Sequence, residues 1–216
     1  MRPDVVRPDV MRPELRRLLY IIFLAFPFSL GLGLQHAVAQ TYPVTVTDMA
    51  GRHVTITQPP ERIALQDGRV ALDLALLDRA EPFSRVVIWN NLLSRFSPAF
   101  WSVLVKHWPD AAKIPDMGFG DDGQVNLEAM LAKKPQILIA ELRALPVLEQ
   151  DGTMRTFAAL HIPVLFVDDS IHPVPDAVRS VTLLGTVLDR PKEAKAYADF
   201  YDARLAALTA AIAKAT

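Results

Sequence analysis

Short apolar runs of strand length alternate with longer, helically periodic stretches over most of the chain. The runs fall at residues 62–65, 85–89, 136–140 and 163–167. Their centres, such as Val86-Val87-Ile88 and Ile137-Leu138-Ile139, are continuous rather than alternating, the pattern of strands buried on both faces. Interleaving with helices predicts an α/β fold, a parallel-sheet lobe with flanking helices. Helix starts are marked by Asp67-Gly68 ahead of 70–77, Ser97-Pro98 ahead of 100–105, and Asn126 with Glu128 around 127–131. Residues 175–188 read as a further helix, and Asp189 and Pro191 open another. In that last one Tyr197, Tyr201, Leu205, Leu208 and Ile212 recur every three or four residues through an Ala-rich stretch to residue 215. Such a long helix with a broad apolar stripe needs a cover.

Ahead of the lobe, 44–48 and 53–57 alternate around Met49-Ala50-Gly51-Arg52, predicting a β-hairpin that Pro59-Pro60 ends. Farther upstream, the uncharged apolar stretch 18–34 follows Arg12, Arg16 and Arg17 and precedes Gln35-His36-Ala37-Val38-Ala39. That order is a secretory signal peptide with cleavage after Ala39. The rival reading is a membrane anchor, but the run would span only about 26 Å as a helix, and Pro27, Gly31 and Gly33 interrupt it. The first fourteen residues repeat Arg-Pro-acid in tandem, so translation is expected to begin at Met11 or the repeat to be removed with the signal. The domains are then 1–39, signal peptide; 40–190, ligand-binding lobe; and 191–216, the long helix.

Removing 1–39 takes five arginines and three acids, leaving 177 residues at a formal charge of −3. With no cysteine to carry a lipid, the product is expected free in the periplasm. The full chain of 216 residues is 51% hydrophobic and 22% charged, which excludes disorder. Its net charge of −1 provides no excess of cations for phosphate contacts, so nucleic acid is excluded as a partner. The absence of cysteine removes disulfides, thiolate metal sites and cysteine nucleophiles. Five histidines, His36, His53, His107, His161 and His172, show no metal-ligand spacing, and no metal site is predicted. Gly118-Phe119-Gly120-Asp121-Asp122-Gly123 matches the dinucleotide fingerprint in letters, yet Lys113-Ile114-Pro115-Asp116 precedes it and two aspartates would repel phosphate. It reads as a loop. No catalytic set is recognisable, so neither an enzyme nor a cofactor is expected.

In open parallel sheets ligands sit beyond the carboxyl ends of the strands. Those ends are Gln66-Asp67-Gly68-Arg69, Trp89-Asn90-Asn91, Glu141-Leu142-Arg143 and Asp168-Asp169-Ser170. Asp67, Gly68, Arg69, Trp89, Asn90 and Leu142, with Met117 and Phe119, form the candidate ligand-binding set. Arg69 either pairs with a carboxylate or catecholate of a ligand or makes a salt bridge to an acid such as Asp73. Trp89 either offers an aromatic face to a ligand or packs inside the lobe.

Several segments resemble a known family. Asp48-Met49-Ala50-Gly51-Arg52 followed by Pro59-Pro60-Glu61-Arg62-Ile63 is similar to the start of periplasmic substrate-binding proteins of iron-siderophore and cobalamin ABC importers. Asn126-Leu127-Glu128-Ala129-Met130-Leu131 through Lys134-Pro135-Gln136-Ile137, then Ile162-Pro163-Val164, then Leu183-Leu184-Gly185, resemble that family's later motifs in the same order. The resemblance implies a solute-binding component that captures a ferric siderophore or similar chelate and delivers it to an ABC permease. It implies two lobes joined by a long helix, here 191–216, with a second lobe beginning where this chain stops. It also implies a permease-docking acid near the first helix, for which Asp73 is the nearest match. Iron would arrive chelated, so no side chain need ligate it. A second reading, from another class, is a lone lobe without ligand binding that acts through protein association along the 191–215 helix, or has no function.

The signal-peptide reading predicts that amino-terminal sequencing of the exported product begins at Gln40; a product starting upstream of residue 30 would overturn it.

Overall fold

The computed structural model describes residues 41–119 and 122–215. The signal-peptide segment and the centre of the 118–123 glycine loop lie outside the described residues. In chain order the elements begin with the hairpin β1 (Val44–Thr47) and β2 (His53–Ile56). Next come β3 (Ile63–Leu65), α1 (Ala71–Leu77), β4 (Val86–Trp89), α2 (Leu92–Phe96), α3 (Pro98–His107) and α4 (Leu127–Ala132). The chain continues through β5 (Ile137–Glu141), α5 (Leu145–Gln150), α6 (Thr153–Ala159), β6 (Val164–Val167), α7 (Pro173–Val187) and α8 (Pro191–Ala215). The four expected core strands and the hairpin are therefore present, each within a residue or two of the apolar run that predicts it. Helices α2, α5 and α6, of five to seven residues, add to the expected set.

The sheet order is β4-β3-β5-β6, with every neighbouring pair parallel. Successive residues of each strand supply opposite faces. Ile63, Leu65, Ile137 and Ile139 pack with Leu74, Leu77, Val181 and Leu184 on one side. Ala64, Leu138, Ala140 and Phe166 pack with Met130, Leu148 and Phe157 on the other. All five residues of β5 are buried, which explains why its sequence is apolar without alternation. Asn126 caps α4 by accepting a hydrogen bond from the Ala129 N–H at 2.9 Å, as its position ahead of Leu127 predicts.

The Asp48-to-Arg52 turn fastens the hairpin to the sheet. The buried Asp48 carboxylate accepts from the N–H groups of Ala50, Arg52 and Phe166 and from the Arg52 guanidinium at 2.6 Å. Arg52 in turn donates to the Val164 carbonyl at 2.6 Å and lies 4.6 Å from the Phe166 ring centroid. The most recognisable motif of the chain is thus a structural clasp between hairpin and β6.

Helix α8 starts against α7, where Ala194 is buried, and leaves much of its later apolar stripe exposed: Phe200, Leu208 and Ile212 are each 57% accessible. The turn between the two helices is tight because Gly185 faces Ala194. A Cβ at position 185 would stand 2.3 Å from the Ala194 Cβ and 3.0 Å from the Arg190 carbonyl oxygen. Gly185→Ala is predicted to destabilise the fold by about 1–3 kcal/mol, since this overpacking outweighs the roughly 1 kcal/mol by which alanine favours a helix. Denaturant midpoints measure it; an unchanged midpoint would show that α7 and α8 separate without loss.

Candidate functional site

Strands buried on both faces run their backbones out at the carboxyl edge, and the polar residues there are held by the loops that follow. At the end of β3 the chain turns sharply into a short helical turn, Gly68–Val70. Gly68 is required by close approach: a Cβ there would sit 2.6 Å from the Asn90 carbonyl oxygen. Asp67 is fully buried and caps this turn by accepting from the Arg69 N–H at 2.8 Å. Its carboxylate also receives the Arg69 guanidinium, with Nη2 at 2.7 Å, and the Arg143 guanidinium, with Nη2 at 2.6 Å. Burial opposes ionisation of Asp67, but the hydrogen bonds and charge of Arg69, with Arg143, outweigh it and hold the carboxyl below its ordinary range. Two guanidiniums therefore converge on one carboxylate. The Arg69 side chain is 41% exposed and that of Arg143 is 23% exposed. Of the two partners open to Arg69, the structure supplies an acid, and that acid is Asp67 rather than Asp73.

Beside this triad lies a group of carboxyls of opposite character. Glu141, at the end of β5, is buried; its Oε2 accepts from Ser170 Oγ at 3.1 Å and from the Asp169 N–H at 3.4 Å. Burial, with the charges of Asp169 and Asp67, raises Glu141 to about 7. Asp73 on α1 is driven well above the usual carboxylate range by burial and by Asp169 and Glu141. Burial likewise raises Asp169. Asp73 is only half-buried as a residue, but its Oδ2 is enclosed and its carboxyl meets Asp169. The acid expected to dock the permease is thus a half-buried residue with one enclosed carboxylate oxygen. Tyr197 of α8 is raised by burial and by Asp73, placing the long helix against the same group.

The remaining members of the predicted set are mostly internal. Trp89 is fully buried, 5.8 Å edge-to-face from Phe83 and from Trp101, so it packs inside the lobe and offers no face to a ligand. Asn90 is also buried, and its Oδ1 accepts from Arg95 Nη2. Arg95 further donates to Asp116 Oδ2 and to the Phe119 carbonyl. Asp116 Oδ1 accepts from the N–H groups of Asn91 and Gly118. This clamp ties α2 to the loop bearing Met117, which is buried, and Phe119, which is half-buried like Leu142. The edge therefore brings Asp67, Gly68, Arg69, Leu142 and Arg143 together, while Trp89, Asn90 and Met117 support it from within. Arg143 and Arg95 are absent from the predicted set. Arg143 stood at a strand end in the sequence, whereas nothing local marked Arg95, whose role rests on contacts more than twenty residues away.

Residues 101–216, more than half of the chain, match the family model described as periplasmic binding protein. The chain belongs to that family. Solved structures share the fold. The TroA-like periplasmic binding protein FepB from Veillonella parvula aligns at 23% identity and TM-score 0.68, over 75% of this chain and 47% of that one. The siderophore binding protein BauB, bound to two acinetobactin molecules and ferric iron, aligns at 18% identity and TM-score 0.56, over 78% and 53%. The Haemophilus influenzae molybdate periplasmic binding protein MolA aligns at 17% and 0.56, over 72% and 49%. The chain spans about half the length of these structures. No curated protein matches it.

In this periplasmic binding protein lobe the buried carboxyls set a pH response. The folded state holds the Glu141 proton more tightly than the unfolded chain, so the stability this group contributes is complete below pH 4.5 and is lost as pH rises through about 7. Asp73 and Asp169 act in the same direction. Asp67 and Asp168, both lowered, act oppositely: their contribution is present above pH 3.8 and falls away under more acid conditions. Urea unfolding at pH 5 and pH 8 is predicted to show a loss of about 2.5 kcal/mol from Glu141, and Glu141→Gln, which keeps an acceptor for Ser170, is predicted to abolish that part of the difference.

Proposed function

We propose that this chain is the ligand-binding lobe of a solute-binding component of an ABC importer, which captures a ferric siderophore or a similar anionic iron chelate in the periplasm for delivery to the permease. The reading is supported above all by the pair of guanidiniums gathered on Asp67 at the carboxyl edge of the sheet, where open parallel sheets place their ligands. Arginine presents a planar fork of donors to carboxylate and catecholate oxygens. A buried carboxylate behind two such forks fixes their orientation in advance, which lowers the ordering cost of binding. Phe119 and Leu142 supply apolar contact beside them, and the Arg95 clamp holds the Phe119 loop. Iron is cargo held by its chelator, so the lobe needs no iron ligand of its own. Helix α8 takes the part of the helix that links the two lobes. BauB and MolA carry an iron chelate and an oxyanion respectively, and guanidinium donors suit either ligand class.

The test is a tryptophan-fluorescence titration of the chain with ferric tris-catecholate, ferric hydroxamate, heme and molybdate. Saturable binding of a ferric chelate is expected, weakened by about 1–3 kcal/mol in Arg69→Ala and in Arg143→Ala, with thermal melts recorded to separate folding from binding. Binding of heme or molybdate alone would overturn the chelate assignment. Affinities indifferent to both substitutions would reduce the two arginines to braces for Asp67.

A further inference from the structure

The last strand of the sheet ends in a second constellation that the chelate site does not use. Asp168 follows β6 and is fully buried, His172 precedes α7 with its ring 64% exposed, and Asp176 lies in the first turn of that helix with its side chain 13% exposed. His172 Nδ1 is 3.2 Å from Asp168 Oδ2 and 3.7 Å from Asp176 Oδ2, and one donor atom from each of the three residues lies within 4.8 Å of the others. Neighbouring ligand atoms on a tetrahedral zinc ion at bond lengths near 2.0–2.1 Å are about 3.3–3.4 Å apart. Two of the three spacings therefore already approach a coordination edge.

The carboxylates are also oriented from behind. Asp168 Oδ1 accepts from the Ile171 N–H at 2.7 Å and the Ser170 N–H at 3.2 Å, and Asp176 Oδ1 receives the Arg179 guanidinium at 2.6 Å. Each acid is thus held through one oxygen while the other turns to the same imidazole nitrogen, the division between outer-shell anchor and metal-facing atom seen at protein metal sites. The positive end of α7 opposes a cation by about half a charge, but two carboxylates face it. An imidazole with two carboxylate oxygens suits a divalent first-row transition ion and leaves coordination positions for water. Asp168 and Asp176 also suit a helix start as caps, and that role needs no metal.

We propose that Asp168, His172 and Asp176 form a divalent transition-metal site, with Zn²⁺ as its probe ion, at the β6–α7 junction. Its occupancy ties the end of the sheet to the first turn of α7, a different part of the carboxyl edge from Arg69 and Arg143, so the inference stands whether or not the chelate reading does. The experiment is calorimetric titration of the metal-stripped full chain with ZnCl₂, repeated on His172→Gln and Asp176→Asn. One Zn²⁺ per chain is expected, with affinity at least tenfold lower in each variant and with metal-free melting temperatures equal to that of the parent. Co²⁺ at the same site should give visible absorption of a four- or five-coordinate ion that His172→Gln abolishes. No saturable binding by the parent chain, or binding that His172→Gln leaves unchanged, would overturn the proposal and leave the trio as a helix-start cap.

Discussion

Four short parallel strands buried on both faces impose the constraint from which the rest of this structure follows. Such strands can carry almost no polar side chains along their length, so chemistry is confined to the points where the backbone leaves the sheet. Asp67, Glu141 and Asp168 stand at three of those points, and each is buried. A charge held there has to be matched by donors from the following loop or give up its ionisation. The three acids take different courses. Asp67 keeps its charge between two guanidiniums, Asp168 keeps it through backbone N–H groups and the His172 ring, and Glu141, which faces other acids, holds its proton to near neutrality.

This division runs along the whole edge. At the β3 end one carboxylate serves two arginines. At the centre burial, with the charges the three acids present to one another, disfavours ionisation of Glu141, Asp73 and Asp169. The β6 end gathers two carboxylate oxygens on one imidazole.

The support for this edge reaches well beyond it. Trp89 fills the core beneath α3, and the Asn90 side chain accepts from Arg95, which also holds Asp116 and the Phe119 loop. The hairpin is locked to β6 through Asp48 and Arg52. Gly185 allows α8 to begin against α7 and to bring Tyr197 to the buried acids. Residues that look like ligand contacts in the sequence are thus in part the scaffold that holds the actual edge residues still.

The sequence by itself determined the elements and the class of fold. Continuous apolar runs can be satisfied only as doubly buried strands, Asn126 and Pro191 can start helices from local chemistry alone, and the ordered motifs from Asp48 to Gly185 pointed to the family that the 101–216 match establishes. It also located the carboxyl edge, since strand ends follow from strand positions. What only the tertiary structure decided was which edge residues face outward and which pair with each other. The pairing of Arg143 with Asp67 spans 76 residues, that of Arg95 with Phe119 spans 24, and the acids beside Asp73 are Asp169 and Glu141, far along the chain. Hydrophobic periodicity records how deeply a position is buried, but it carries no information about which distant charge will arrive beside it.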